Sequence, residues 1–189
     1  EKMYKGGIFD HIGYGFFRYS VDENWLVPHF EKMLYDNALL GLVYTKAYEM
    51  TNNVSYKEIA EKIYEFVLRD MISDEGGFYS ALDADTEGKE GKFYLFTSDE
   101  IVNLLGEEWG NLFNKYYDIT DKGNFEGSNI PNLLKIDLDK MNPDDEAILN
   151  SIIQMLFSYR EKRVNPHRDE KILTSWNGLM IGSLAYAGM

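Results

Sequence analysis

The sequence predicts a mainly α-helical protein built of helical hairpins, with one small β-hairpin inserted around residues 76–97. Three observations predict it. Apolar residues recur at helical spacing in several long segments, and greasy helices alternate with amphipathic ones. Capping chemistry marks several of their starts. One stretch, "GGFYSALDADTEGKEGKFYLFT", breaks the helical pattern with two aromatic, strand-like pieces about an acidic, glycine-bearing turn.

Taken in order, residues 5–28 are rich in glycine and aromatics and read as an ordered loop with one short strand. Gly6, Gly7, Gly13 and Gly15 tolerate backbone angles that other residues resist. From about residue 30 to 50 the pattern is helical. Phe30, Met33, Leu34, Ala38, Gly41, Tyr44 and Tyr48 form one stripe, and Leu39, Leu40, Leu42 and Val43 make the middle apolar nearly all round. Such a helix is expected to be buried on most sides. Next comes an amphipathic outer helix. Ser55 with Glu58 reads as a capping box, and Tyr56, Ile59, Ala60, Ile63, Phe66 and Val67 make its apolar face. The short "TNN" joint sets the two helices antiparallel.

The strand-like pieces are Phe78–Leu82 and Lys92–Phe96. Thr97 with Glu100 caps a further helix that Gly106 ends, and another helical stretch covers about 107–117. Asn142 as N-cap and Pro143 at the first position start a long helix. Its stripe is Ile148, Ile152, Met155, Leu156 and Tyr159. A last apolar helix follows "ILTSWNG", with Gly178 and Gly182 spaced for close approach by another helix. Paired outer and inner helices stack into bundles, solenoids or closed toroids, and periodicity does not choose among them. The chain starts without an initiator Met and stops inside an apolar helical pattern, as a piece of a longer protein would.

The 189 residues are 44% hydrophobic, enough for a core, and 15% aromatic. Net charge is −13, from 19 basic and 32 acidic residues. The basic residues are scattered, apart from a short cluster at 160–163, so nucleic acid is a poor partner. No apolar run reaches the roughly 18 residues of a membrane span, and no secretory signal is visible. The absence of cysteine excludes disulfides, thiolate metal sites and cysteine nucleophiles, and fits a cytoplasmic protein. No nucleotide or cofactor fingerprint appears, and the three histidines have no local metal-ligand spacing.

Four stretches carry a resemblance: "GGIFDHIGYGFFRYSVDENWLVPHFEKMLYDNALL", "GGFYSALDADTEGKEGKFYLFT", "GNFEG.N" and "R…DEKILTSWNGLM". Together they resemble the spermatogenesis-associated, or thioredoxin-domain-containing, protein family. The resemblance implies roughly half of an α/α-toroid domain, similar to six-hairpin glycosidases and N-acylglucosamine 2-epimerases. It also implies that the family's N-terminal thioredoxin-like domain is absent from this chain. One position departs: where the family commonly has His, this chain has Phe17.

In such a toroid the starts of inner helices look into a central funnel. His29 and Glu31 then become candidate acid/base groups, with Asp36 beside them. Asp83 and Asp85 point the same way on an extended strand and complete a carboxylate pair of the kind used in glycoside chemistry. The "DADTEG" run begins like a calcium loop, but Tyr94 stands where the closing Glu belongs. Arg18, Tyr19 and Trp25, with Trp176 and Asn177 at the last helix's start, offer rings and donors to a sugar. Against each stands a plainer role: helix capping, a solvated turn, loop packing or local backbone satisfaction. His11 reads as structural. The reading is a sugar-binding protein, epimerase/isomerase-like or glycosidase-like, inactive as this piece alone. Its rival is a non-catalytic interaction or regulatory module attached to a thioredoxin-like domain. Exposed inner helices are expected to make the piece self-associate.

Overall fold

The helical periodicities mature into seven α-helices in a computed structural model that describes residues 1–189. After the single turn α1 (Lys2–Lys5) and a long aromatic loop, a two-residue strand β1 (Lys32–Met33) runs directly into α2 (Leu34–Thr51). The helix expected from residue 30 therefore starts four residues later. The backbone ahead of it is engaged elsewhere: Arg18 N–H donates to Glu31 O, and His29 N–H to Tyr19 O. His29, Phe30 and Glu31 lie on extended chain, not on the helix.

Asn52, in the left-handed conformation, ends α2, and α3 (Val54–Phe66) turns back antiparallel. The cap of α3 is Asn53, whose side chain accepts from Ser55 N–H, in place of the expected Ser55 box. Its expected faces hold, with Ile59, Ala60, Ile63, Phe66 and Val67 buried. A π-helical turn, Val67–Met71, closes it.

The inserted β-structure differs from expectation. β2 (Ala81–Leu82) is the middle strand of a three-stranded antiparallel sheet, between β1 and β5 (Arg168–Asp169). Its register sets Lys32 opposite Leu82 and Leu82 opposite Arg168. The hairpin itself is tighter, β3 (Asp85–Thr86) against β4 (Lys89–Glu90), turning through Glu87 and Gly88 at positive φ. The pieces 78–82 and 92–96 do not pair with each other: Phe78 bridges to Ile72 and Phe96 to Asn129. Distant segments supply better edges than the local partner.

The remaining helices are α4 (Ser98–Leu105), α5 (Glu107–Tyr116), α6 (Pro143–Arg160) and α7 (Thr174–Gly188). Thr97 and Glu100 form the expected capping box, and Asn142 caps α6 with Pro143 in its first turn. The buried face of α6 is rotated from the expected stripe. Leu149, Ile152, Ile153, Leu156 and Arg160 are inside, whereas Met155 is exposed. No helix is long and apolar enough to cross a membrane.

α2 and α7 lie side by side and parallel. Their first turns meet at Tyr35 and Trp176, with ring centroids 4.8 Å apart, and their last turns meet where Tyr186 bonds Glu49. α3 packs behind both. Tyr64 Oη lies 3.2 Å from Thr45 Oγ1 and 2.9 Å from Ser183 Oγ. Gly41 makes the approach possible, since a Cβ there would stand 2.9 Å from the Tyr64 ring. Nothing approaches Gly178 or Gly182, so the close helix contact falls at Gly41 instead. The opposite faces of α2 and α7 are open. Leu39, Val43, Leu179 and Ile181 are exposed, where α2 was expected to be buried on most sides.

Candidate functional site

The small sheet separates two groups of polar residues, because successive side chains on a strand point to opposite faces. Lys32 points inward. Its ammonium is buried, 2.7 Å from Asp10 Oδ2 and 2.7 Å from Tyr14 O. Arg160, on the buried face of α6, donates to both oxygens of the same carboxylate at 2.9 and 2.8 Å. Asp10 also accepts from the backbone N–H groups of Ile12 and Gly13, which shapes the turn that holds it. Burial alone would raise the Asp10 carboxyl, but Arg160 and Lys32 hold it far below the usual range. Burial pulls the Lys32 ammonium down to about 8 against the pull of Asp10. The rings of Phe66, Phe17 and Tyr94 surround that ammonium, with centroids 4.5, 5.1 and 5.1 Å away. Gly13 leaves room for the guanidinium, since a Cβ would stand 1.9 Å from Arg160 Nη2. Phe17, the position of the family departure, therefore faces this interior cluster.

The neighbouring Glu31 goes the other way, to the rim formed by the first turns of α2 and α7. Arg18 Nη1 lies 3.1 Å from Glu31 Oε2, and Arg18 Nε donates to Tyr35 Oη at 3.1 Å. Tyr35 packs edge-on against Trp176. On the other side Arg18 approaches the Tyr19 ring, which stacks on His29 at 5.0 Å. His29 Nδ1 lies 2.8 Å from Glu90 Oε1. Glu90 faces Asp85 across the β3–β4 hairpin. A continuous polar and aromatic strip thus runs from Trp176 through Arg18 to the hairpin. Asp36, in the first turn of α2, adds a carboxyl whose pKa burial lifts to about 6. Its Oδ2 is buried with no hydrogen-bond partner.

The other singled-out residues lie differently. Asp83 is exposed; its N–H is bonded to His167 O, and its Oδ1 accepts from Asp85 N–H. Trp25 is in the loop against Gly6 and the core, outside the strip. His11 is buried among rings, with Nε2 3.1 Å from Gly6 O, and burial lowers its pKa to about 4. No group of three or more His, Asp or Glu side chains is disposed to hold a metal ion.

Asn177 does structural work that exposes a repeat. It accepts from Phe78 N–H at 2.7 Å and donates to Phe78 O at 2.9 Å and Leu173 O at 3.1 Å. Asn37 does the same on α2. It accepts from Phe16 N–H at 2.8 Å and donates to Phe16 O and Met33 O, both at 3.0 Å. Each is the fourth residue of its helix, each grips a Phe that follows a Gly, and each donates to its own N-cap carbonyl.

Sequence reading missed Tyr35 and Glu90 in the strip and the whole Asp10–Lys32–Arg160 cluster. One signal existed for the cluster. Arg160 continues the series Leu149, Ile153, Leu156 at core spacing, and a charge on an apolar face requires a buried counter-charge. Two cavities lie near the sheet. One of about 740 Å³ is lined by Lys32, Arg160, Arg168 and Tyr94 among others. The second, of about 850 Å³, lies between the hairpin and the 160s loop.

No protein-family model matches the chain. All of it aligns with spermatogenesis-associated protein 20 of Homo sapiens at 38% identity, and of Mus musculus at 37%. An uncharacterized protein of Caenorhabditis elegans is 36% identical over 99% of the chain. The chain spans 28% of the length of the human and mouse relatives and 30% of the nematode one.

Proposed function

We propose that this chain is a segment of a spermatogenesis-associated family protein, forming about half of an α/α toroid in which α2 and α7 are adjacent inner helices. The family's thioredoxin-like domain lies outside it. Parallel neighbours with matching fourth-residue Asn clamps support this architecture, because stacked hairpin repeats reuse one start geometry. The rim strip is then a carbohydrate site facing the funnel of a cytoplasmic protein. The observation that carries the reading is the unbroken contact series Trp176, Tyr35, Arg18, Tyr19 and His29 at the shared end of both helices.

The chemistry suits a polyol. Trp176 and Tyr35 offer ring faces, Arg18 and Glu31 offer hydroxyl partners, and Trp176 with Arg18 orients the ring. Asp36, with its pKa lifted to about 6, holds a proton for part of the time near neutral pH and serves as acid. His29 is the partner base, with Glu90 fixing its imidazole. Asp83, Asp85 and Asn177 take no direct role in this arrangement. Two such groups on either side of a sugar carbon serve epimerisation or isomerisation; an acid with Glu31 as second carboxylate serves hydrolysis.

The experiment is calorimetric titration of the full-length protein with neutral hexoses and N-acetylhexosamines, beside Trp176→Ala and Asp36→Asn. Binding that Trp176→Ala weakens at least tenfold is expected. Absence of any sugar binding would falsify the reading. A second reading rests on the exposed Leu39, Val43, Leu179 and Ile181, which form an apolar face suited to protein contact or self-association. If the face rather than the rim is the working surface, Val43→Lys disrupts assembly in light scattering and Trp176→Ala changes nothing.

A further inference from the structure

We infer that the 740 Å³ cavity beneath the sheet binds a small molecule bearing an oxyanion, a phosphate or a carboxylate, through donors of Arg160, Arg168 and Tyr94. The site lies on the face of β1 opposite the rim strip and does not rest on the sugar reading.

Six buried side-chain nitrogen or oxygen atoms in the chain have no hydrogen-bond partner. Three of them, Arg160 Nε, Arg168 Nε and Tyr94 Oη, belong to residues lining this one cavity. All three can donate. Buried polar groups are nearly always satisfied, so three orphaned donors around one space mark a missing acceptor. Arg160 is 2% exposed and Tyr94 4% exposed, so neither is a surface group left loose.

The frame around the donors is rigid. Arg160 is locked to Asp10 by two bonds, which leaves Nε free of that task. Arg168 lies over the Tyr79 ring, with Nη1 on Asp70 O and Nη2 on Glu170. The π-helical turn brings Arg69 and Asp70 to the same wall, paired with each other. Four cations line the cavity, Lys32, Arg69, Arg160 and Arg168, against Asp70, Glu161 and Glu170. In a chain of net charge −13 the long-range field repels anions, so an anion is held here only by local donors. The volume exceeds what a bare phosphate needs and fits a metabolite-sized ligand. The three carboxylates would then meet hydroxyls on the same molecule.

The test is calorimetry on the full-length protein with inorganic phosphate, glucose 6-phosphate, gluconate and neutral glucose. Glucose 6-phosphate or gluconate is expected to bind at least tenfold more tightly than glucose. A preference for one of the two fixes the oxyanion. Arg168→Ala should weaken that binding about 10- to 100-fold, as expected for a charge-assisted bond. Tyr94→Phe removes only the hydroxyl and keeps the ring in the core; it should weaken binding about 3- to 10-fold without lowering Tm. Trp176→Ala, which tests the rim, should leave oxyanion affinity unchanged. The proposal is overturned if no charged probe binds more tightly than glucose. It is equally overturned if both Arg168→Ala and Tyr94→Phe bind as wild type, or if Trp176→Ala alone abolishes oxyanion binding.

Discussion

α2 and α7 begin alike and are furnished differently. Each opens with an Asn at its fourth position gripping the backbone of a Gly-Phe segment. Behind α2 lies a buried ionic cluster, and its first turn carries Asp36 beside the Arg18–Glu31 pair. Behind α7 there are only surface pairs, Arg168–Glu170 and Asp169–Lys171, and its first turn holds no acid. The shared clamp is scaffold. Charge is an addition to one copy, which is why reactive chemistry is to be sought on the α2 side.

The largest effect that sharpens this contrast comes from the interior charges. Asp10→Ala leaves Lys32 and Arg160 buried without a counter-charge and should cost about 3–5 kcal/mol in urea denaturation. Lys171→Ala on the α7 side should cost under about 0.5 kcal/mol. Comparable losses would erase the distinction.

Acid comes next. His11 is buried neutral, with its pKa lowered from 6.5 to about 4. A depressed folded value means that the unfolded chain binds the proton first. The stability it lends is therefore full above about pH 6.5 and declines as pH falls toward 4, by up to about 3 kcal/mol. His11→Phe should flatten that slope between pH 6.5 and 4.5, as read from urea midpoints.

The clamps should respond equally. Asn37→Ala and Asn177→Ala each strip three hydrogen bonds and orphan the N–H and C=O of one Phe, for about 2–3 kcal/mol apiece. If only one of the pair matters, the repeat is decorative.

The rim should show the smallest change. Asp36 has a raised folded pKa, so the stability it lends is present below its ordinary value of 3.8 and lost as pH rises through about 6. Asp36→Asn should then match or exceed wild type at pH 7, by under about 1 kcal/mol, and the two should converge below pH 4. A marked loss at pH 7 would mean that the carboxylate is structural.

Helix identity was legible because it is local: the Thr97–Glu100 box, Asn142-Pro143 and the faces of α3 can all be read within a dozen residues. Strand pairing was not, because β2 finds its partners at residues 32–33 and 168–169 rather than next door. The Asn repeat escaped for the same reason. Its two grips span 21 and 99 positions, so no fixed period betrays it. Among rim residues, Arg18, Tyr19, His29, Glu31 and Trp176 were visible as polar or aromatic groups near a helix start. Tyr35 was not, since a tyrosine inside an apolar run reads as core. Lys32 was passed over as one more charge, although it stands between Glu31 and Met33 on a strand with one buried face.

That two-residue strand sets a reading frame. A deletion of one residue between Pro28 and Lys32 would slide the chain so that Glu31 takes the inward place and meets Asp10, acid against acid, while the lysine is expelled to the rim. Mispairing during folding is thus proofread by like-charge repulsion. Length in this short connection should tolerate far less drift than its loop-like appearance suggests.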